Sequence, residues 1–432
     1  MIWSFPILWK RYTDSTRIWF GNMRKKFSIL LLLPALLFGN ALQNAIDKAP
    51  PYATIKLQNA VYKGNIHINK PLTIVGIGES VVLEGSGKGS VVTIRSSHVV
   101  LRHLTITKSG KNMQQIDAGI SMQGVKECEI SNCKLSHVLY GIDMDRVQES
   151  LIAKNYITTY KNNLPLRANG LKLYYAHHNK ILHNKIENVR DVTLNYSHYN
   201  LFEENEFIGN RFATHLSLSN HNKFFKNRYR YNSVSMMFMG AQDTKVVGNT
   251  IVSSNGAAGI GVMIGSVSAF YFHNNRLSFN AKGIYIQGQE KAKGMKRYIT
   301  GNELSYNGEA IHFHASIKDN TITKNAIFSN INDVVKDAGK NFEASNIVQY
   351  NYWDRYAGFD RDNDGIGDQP FSIYQYADQL WQYNHKVKFF YASPLMTLLN
   401  FLSQLAPFIE PNLIMKDSKP LINISELNAR LP

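Results

Sequence analysis

Cysteine is nearly missing from this chain: Cys128 and Cys133 are the only two in 432 residues. No disulfide framework can therefore hold the fold together. The two thiols lie five positions apart, where both suit an interior, and a bridge across the turn stays open in an oxidising compartment. Acidic residues are in deficit, 32 Asp and Glu against 48 Lys and Arg, for a net charge of +16. A surface of that sign selects acidic partners, whether anionic lipid headgroups, an acidic protein face or an acidic polysaccharide. Also lacking between Leu101 and Trp353 are apolar patterns of about ten residues at a 3.6-residue period, which excludes a helical repeat.

The N-terminus carries an address rather than a fold. Arg24, Lys25 and Lys26 follow Met23, an uncharged run extends from Phe27 to Phe38, and Gly39-Asn40-Ala41 closes it with small residues. That is the layout of a secretory leader. The run is short for a membrane span, and an uncleaved anchor is the rival reading. Met23 is then the expected initiator. Loss of residues 1–41 removes six cations and Asp14, so the charge falls from +16 to +11. Outside the cytoplasm, nucleic acid drops out as a partner.

What is abundant is asparagine in one phrase, apolar-x-x-Asn-x-apolar. It recurs around Asn155, Asn184, Asn205, Asn227, Asn249, Asn275, Asn302, Asn320 and Asn351, and two earlier copies put Leu104 and Cys133 in the Asn slot. The commonest step is 22 residues, with irregular steps of 18 and 31 on either side of Asn320. Short alternating strands such as Gly141-Ile-Asp-Met and Gly259-Ile-Gly-Val precede the phrases. Short strands returning at that period predict an all-β chain wound as a right-handed parallel β-helix, a solenoid with Asn in the same turn of every coil. Asn tolerates the left-handed backbone and can pass amide hydrogen bonds between coils. At about 4.8 Å per coil the rod is roughly 50 Å long. The expected organisation is a leader and extension over 1–41, a solenoid over 42–353 that opens with irregular capping coils, and a C-terminal extension over 354–432.

The extension has two features. Asp360, Asp362, Asp364 and Asp368 alternate around Gly365, a spacing that lets carboxylates converge on Ca²⁺, although the late glutamate of an EF-hand is missing. A metal-free turn held by Asp-to-backbone hydrogen bonds fits the same residues. Ser393-Pro394 then opens a run with Leu395, Leu398, Leu399, Leu402 and Leu405 on one side, closed by Pro407. This predicts an amphipathic helix, packed on the rod or docked on a membrane protein or lipid surface.

Two residue sets could carry chemistry. Met236, Met237 and Met239 lie close together, with Met263, His198 and His215 in neighbouring coils. Thioether and imidazole ligands suit Cu(I), and methionines that merely fill the core are the competing account. For an enzyme, Asp143 and Asp145 would face outward about 7 Å apart, with Arg146 and Lys172 near. That arrangement would serve a uronate polymer epimerase or lyase.

The chain resembles the NosD family of periplasmic β-helix proteins. The weaker part of the likeness is the opening coils, through Leu104-Thr-Ile-Thr-Lys-Ser-Gly110; the more specific part is Asn351-Tyr-Trp-Asp-Arg-Tyr-Ala-Gly358, Asp360 to Pro370, Asp378-Gln-Leu-Trp381, Ser393-Pro394-Leu and Asp417-Ser-Lys-Pro420. What the resemblance implies is a non-catalytic accessory protein for nitrous oxide reductase maturation. Such a protein would receive Cu(I) from a donating chaperone and work with an ABC-type ATPase and permease, reaching the membrane surface through the permease. The resemblance puts copper on Met236, Met237, Met239 and His198.

Overall fold

The computed structural model describes residues 28–31, 41–160, 163, 166–256, 258–288, 296–314, 317–337, 345–375, 390, 393–405 and 412–430. Each winding contains three short apolar segments bounded by turns, so each lays down three strands. One winding, for example, runs Leu201–Glu203, Glu206–Ile208 and Phe212–Ser217. Its inward residues Phe202, Phe207 and Leu216 are fully buried. Equivalent strands pair in parallel from coil to coil, giving sheets of 14, 13 and 12 strands, here sheets I, II and III in the order the chain visits them. The result is the expected right-handed parallel solenoid, with about 12 turns. Its core is a set of columns: Phe202 stacks on Phe224 at 5.1 Å, and Phe207 on Tyr229 at 4.8 Å. Each fully buried side chain of this size contributes roughly 1.5–3 kcal/mol.

The asparagine phrase forms the corner between sheets I and II. Asn205 is typical: its Nδ2 donates to Ile181 O at 2.8 Å and to Asn227 Oδ1 at 3.0 Å, and its backbone N–H donates to the same Oδ1. The ladder runs unbroken from Asn155 to Asn351, and Cys133 joins it by donating its N–H to Asn155 Oδ1.

Two expectations about this corner are corrected. The left-handed residue is not the Asn but the one before it: Lys154, His183, Glu204, Lys226, Asn274 and Lys324 all have φ between 51° and 56°. Asn is selected for its amide, not its backbone. The ladder member after Asn302 is Asn325, within Ile322-Thr-Lys-Asn325-Ala-Ile327, and not Asn320. The steps around it become 23 and 26 residues, and the irregularity disappears. Asn320 instead opens a sheet I strand, where Arg297 Nε donates to its Oδ1 at 2.7 Å.

Both ends of the rod are covered. A helix, Ala41–Lys48, buries Leu42 and Ile46, and Gln43 exchanges two hydrogen bonds with the backbone of His67 in an opening strand. The cap is thus a helix in addition to the opening coils. Ser28–Leu31, inside the run read as a leader, lies parallel on Thr54–Leu57; the rest of 1–40 falls outside the described residues. At the other end the extension folds back. Asp417, on a strand Asn412–Asp417 that pairs antiparallel with Phe371–Gln375, accepts hydrogen bonds from Asn351 Nδ2 and Trp353 Nε1, both at 2.9 Å. It closes the ladder as its last rung. Both cysteines are buried and free, so the bridge left open by the sequence is not made. Burial pushes the Cys133 thiol up to about 12.

Replacing Asn227 by Ala strands the Asn205 amide, the Asn205 N–H and the Phe202 carbonyl inside the rod. At about 1–3 kcal/mol for each unsatisfied group, Asn227→Ala should lower the unfolding free energy by about 3 kcal/mol or more, read from urea denaturation. A loss under about 1 kcal/mol would contradict a ladder of this weight.

Candidate metal centre

Alternation in sheet III sorts the methionines. Strand Val234–Met239 turns Met236 and Phe238 inward, where both are fully buried, and leaves Met237 and Met239 half-buried on the outer face. Phe238 is held between Phe224 and Phe270, with ring centroids at 5.8 and 5.0 Å. The outward residues therefore sit on a packed floor. Met236 belongs to that floor and cannot present its sulfur to an incoming ion.

Register brings the remaining candidates together. His215 is the partner of Met237 in the preceding coil, and Met263 its partner in the next. The same row continues to Tyr285 and then His312. Neighbours in a row are about 4.8 Å apart, so His215, Met237 and Met263 can share one ion with small side-chain movements. In the adjoining row Met239 lays its sulfur on Gly265, where a Cβ would come within 2.4 Å of it. The His215 ring makes no hydrogen bond among the described residues. Burial holds its imidazole below the ordinary value, Asp191 pulls it up and Arg211 pushes it down. A neutral ring with a free lone pair results, the form a soft cation requires.

His198 is elsewhere. It stands in the corner between sheets III and I, stacked on His177 at 5.1 Å. Its Nδ1 accepts the Asn220 N–H at 2.9 Å, and its own N–H donates to His177 Nδ1. With Nδ1 engaged, the neutral ring carries its proton on Nε2 and has no lone pair left for a metal. The imidazole is used as the amides are, to link coils. The sequence pattern could not separate His198 from His215, since only register distinguishes a corner from a face.

Asp143 also differs from expectation. It lies on the outer row but is only 4% exposed, with Lys172 Nζ 2.9 Å from its Oδ1. Burial raises its pKa and Lys172 opposes the rise. Asp145 is paired with Arg146 at 2.8 Å. Neither is a free exposed carboxylate. In the C-terminal loop, Asp360, Asp362 and Asp364 bring oxygens within 4.8 Å of one another, while Asp368 accepts the Arg361 N–H instead. Asp360 also takes the N–H groups of Asp364 and Gly365, so the turn is held by its own backbone. The helix Pro394–Leu405 forms, and Leu395, Leu398, Leu399, Phe401 and Leu402 are exposed on it. No described helix is long and apolar enough to cross a membrane.

A family described as "Periplasmic copper-binding protein (NosD)" matches residues 57–233 and 158–358. The chain belongs to the NosD family. Among curated relatives, a "Probable ABC transporter binding protein NosD" of Stutzerimonas stutzeri is 24% identical over 85% of this chain and 86% of its own length. The protein of the same name from Pseudomonas aeruginosa is 26% identical over 85% of this chain and 88% of its own. Among solved structures, a mannuronic acid specific polysaccharide family 6 lyase from human gut microbiota superposes with a TM-score of 0.55. It covers 88% of this chain and 99% of its own at 12% identity, a likeness of fold alone.

Lys172→Met leaves the Asp143 carboxylate buried and uncompensated, and should cost about 3–5 kcal/mol at neutral pH. The loss should shrink as pH falls through the raised pKa of Asp143, because protonation removes the stranded charge. Adding Asp143→Asn should restore most of the stability. Denaturation of the three variants at two pH values checks the cycle.

Proposed function

We infer that this protein carries copper as cargo in the periplasm, for the maturation of nitrous oxide reductase, in company with an ABC permease and its ATPase. The observation that carries the reading is the row of His215, Met237 and Met263, all half-buried on one outward face. Two thioethers and a neutral imidazole form a soft, low-charge site that favours Cu(I) over hard cations. Loading from a donating chaperone and release to the reductase both need a site reachable from outside, and the half-buried sulfurs meet that need. The leader at Met23 to Ala41 supplies export. The helix Pro394–Leu405, which has no charged residue and five exposed large apolar side chains, supplies the contact with the permease or the membrane around it. A polyuronate enzyme would need Asp143 free, and Lys172 engages it.

Competition against a Cu(I)-specific chelator tests the site. The full chain should take up one equivalent of Cu(I), and Met237→Leu combined with Met263→Leu should weaken it at least about tenfold, in line with the loss of soft ligands. His215→Gln should do the same, whereas Met236→Leu and His198→Gln should leave the affinity unchanged. Equal affinity across all four would remove the row from the account.

Calcium at Asp360, Asp362 and Asp364 is the second ion of this reading. Thermal melts with excess Ca²⁺ against a chelator should differ by the linkage amount, about 2.7 kcal/mol at a hundredfold excess over Kd. Coincident melts would leave the loop as a metal-free turn.

A further inference from the structure

Columns of rings climb the corner between sheets III and I. Tyr175 stacks on Tyr196 at 5.1 Å, His177 on His198 at 5.1 Å and His178 on Tyr199 at 4.8 Å, each pair within 9° of parallel. Two of these rings also hold backbone. His177 Nδ1 accepts the His198 N–H at 3.1 Å, and His198 Nδ1 accepts the Asn220 N–H at 2.9 Å. Their neighbours in the same corner do this work with oxygen: Ser219 Oγ takes the Ser197 N–H, and Asn200 Oδ1 takes the Asn179 N–H.

Oxygen acceptors of that kind do not titrate, whereas an imidazole does. A neutral ring has one lone pair, and an imidazolium has none and presents N–H at both nitrogens. Protonation therefore turns each Nδ1 from an acceptor into a donor that faces a donor. Both rings are half-buried, within reach of solvent protons. Burial first, then His198 and His178, hold the His177 imidazole below its ordinary value. The charged groups around the column are Lys126 and Glu127 two windings before His177, Arg146 with its partner Asp145 and Glu149 one winding before, and His221 with Asp243 beyond His198. Tyr174, under Lys172 Nζ, and Tyr175, Tyr196 and Tyr199 complete the ionisable set. None of the carboxylates is among the influences on His177.

We propose that this corner is an acid-sensitive joint, in which protonation of His177 and His198 breaks the backbone hydrogen bonds of His198 and Asn220 and opens the corner. The contribution of His177 is fully present above the ordinary imidazole value, about 6.5. It is lost as pH falls through that value toward the lower one of the folded state. Asn220 belongs to the winding whose strand Phe212–Ser217 carries His215, so the loosening reaches the outward row. The corner between sheets I and II accepts on amide oxygens from Asn184 to Asn351, and stays closed. The joint needs no metal and stands apart from the copper reading.

Amide hydrogen exchange of the metal-stripped full chain at about pH 7.5 and about pH 5, corrected for intrinsic rates, tests it. Protection of the His198 and Asn220 amides should fall at least about tenfold relative to the Asn205 and Asn227 amides, whose acceptors are Asn227 Oδ1 and Asn249 Oδ1. His177→Asn combined with His198→Asn puts an amide oxygen where each Nδ1 stood, and should abolish the fall. A parent in which all four amides respond alike would overturn the proposal, and that comparison stands alone if the double variant does not fold. A fall that persists in a folded double variant would also overturn it, by moving the titrating group to Glu149 or to the His221–Asp243 pair.

Discussion

The side-chain amide ladder is the constraint from which the rest of the molecule follows. From His103 onward every winding turns its first corner through a left-handed residue, and for most L-residues that conformation costs about 1–2 kcal/mol. Residues as unlike as Lys154, Glu204 and Tyr350 accept it. What offsets the cost is the next residue, whose Asn side chain holds the corner carbonyl of the coil below and the Asn of the coil above. The corner is therefore enforced from outside itself. Because each rung repeats the same hydrogen bonds, the three sheets stack with almost no register shift, and chemistry on one coil is aligned with chemistry on the next. Asp417 ends the series with a carboxylate, which only accepts, where the last amide needs no further donor.

Alignment of that kind turns local alternation into a site. A single strand with three methionines in four residues says little, since flexible thioethers fill cores readily. Register decides: Met236 falls on the inward side with Phe238, and Met237 falls between His215 and Met263 on the outward side. The aromatic columns beneath matter as much as the side chains above. Phe224, Phe238 and Phe270 pack edge to face under the row, so the sulfurs lie over a close-packed floor.

The solenoid, its Asn corner and the C-terminal helix were legible in the sequence because each depends on a period or on end residues, and both survive without tertiary knowledge. The misplaced rung at Asn320 shows the limit. Two overlapping phrases, Ile317 to Ile322 and Ile322 to Ile327, satisfy the same pattern, and only the left-handed Lys324 and the hydrogen bonds of Asn325 choose between them. His198 shows a limit of a different kind. A corner histidine beside Asn and Ser rungs does the work of an amide, with Nδ1 accepting a backbone N–H, and residue type alone does not reveal which lone pair is taken. The Asp143 pairing is of the same class, since Lys172 lies 29 positions on and meets it through one strand register.

One row of sheet III changes chemical character along its length. It passes from the Asp143–Lys172 ion pair and Thr193 to His215, Met237 and Met263, then through Tyr285 to His312. In a globular enzyme such groups would converge on one pocket and compete for one ion. A solenoid spreads them at about 4.8 Å per winding, so thioether, imidazole and carboxylate groups keep separate places on a common face. The order of these groups is written as position along the rod, and the amide ladder fixes the register that sets it.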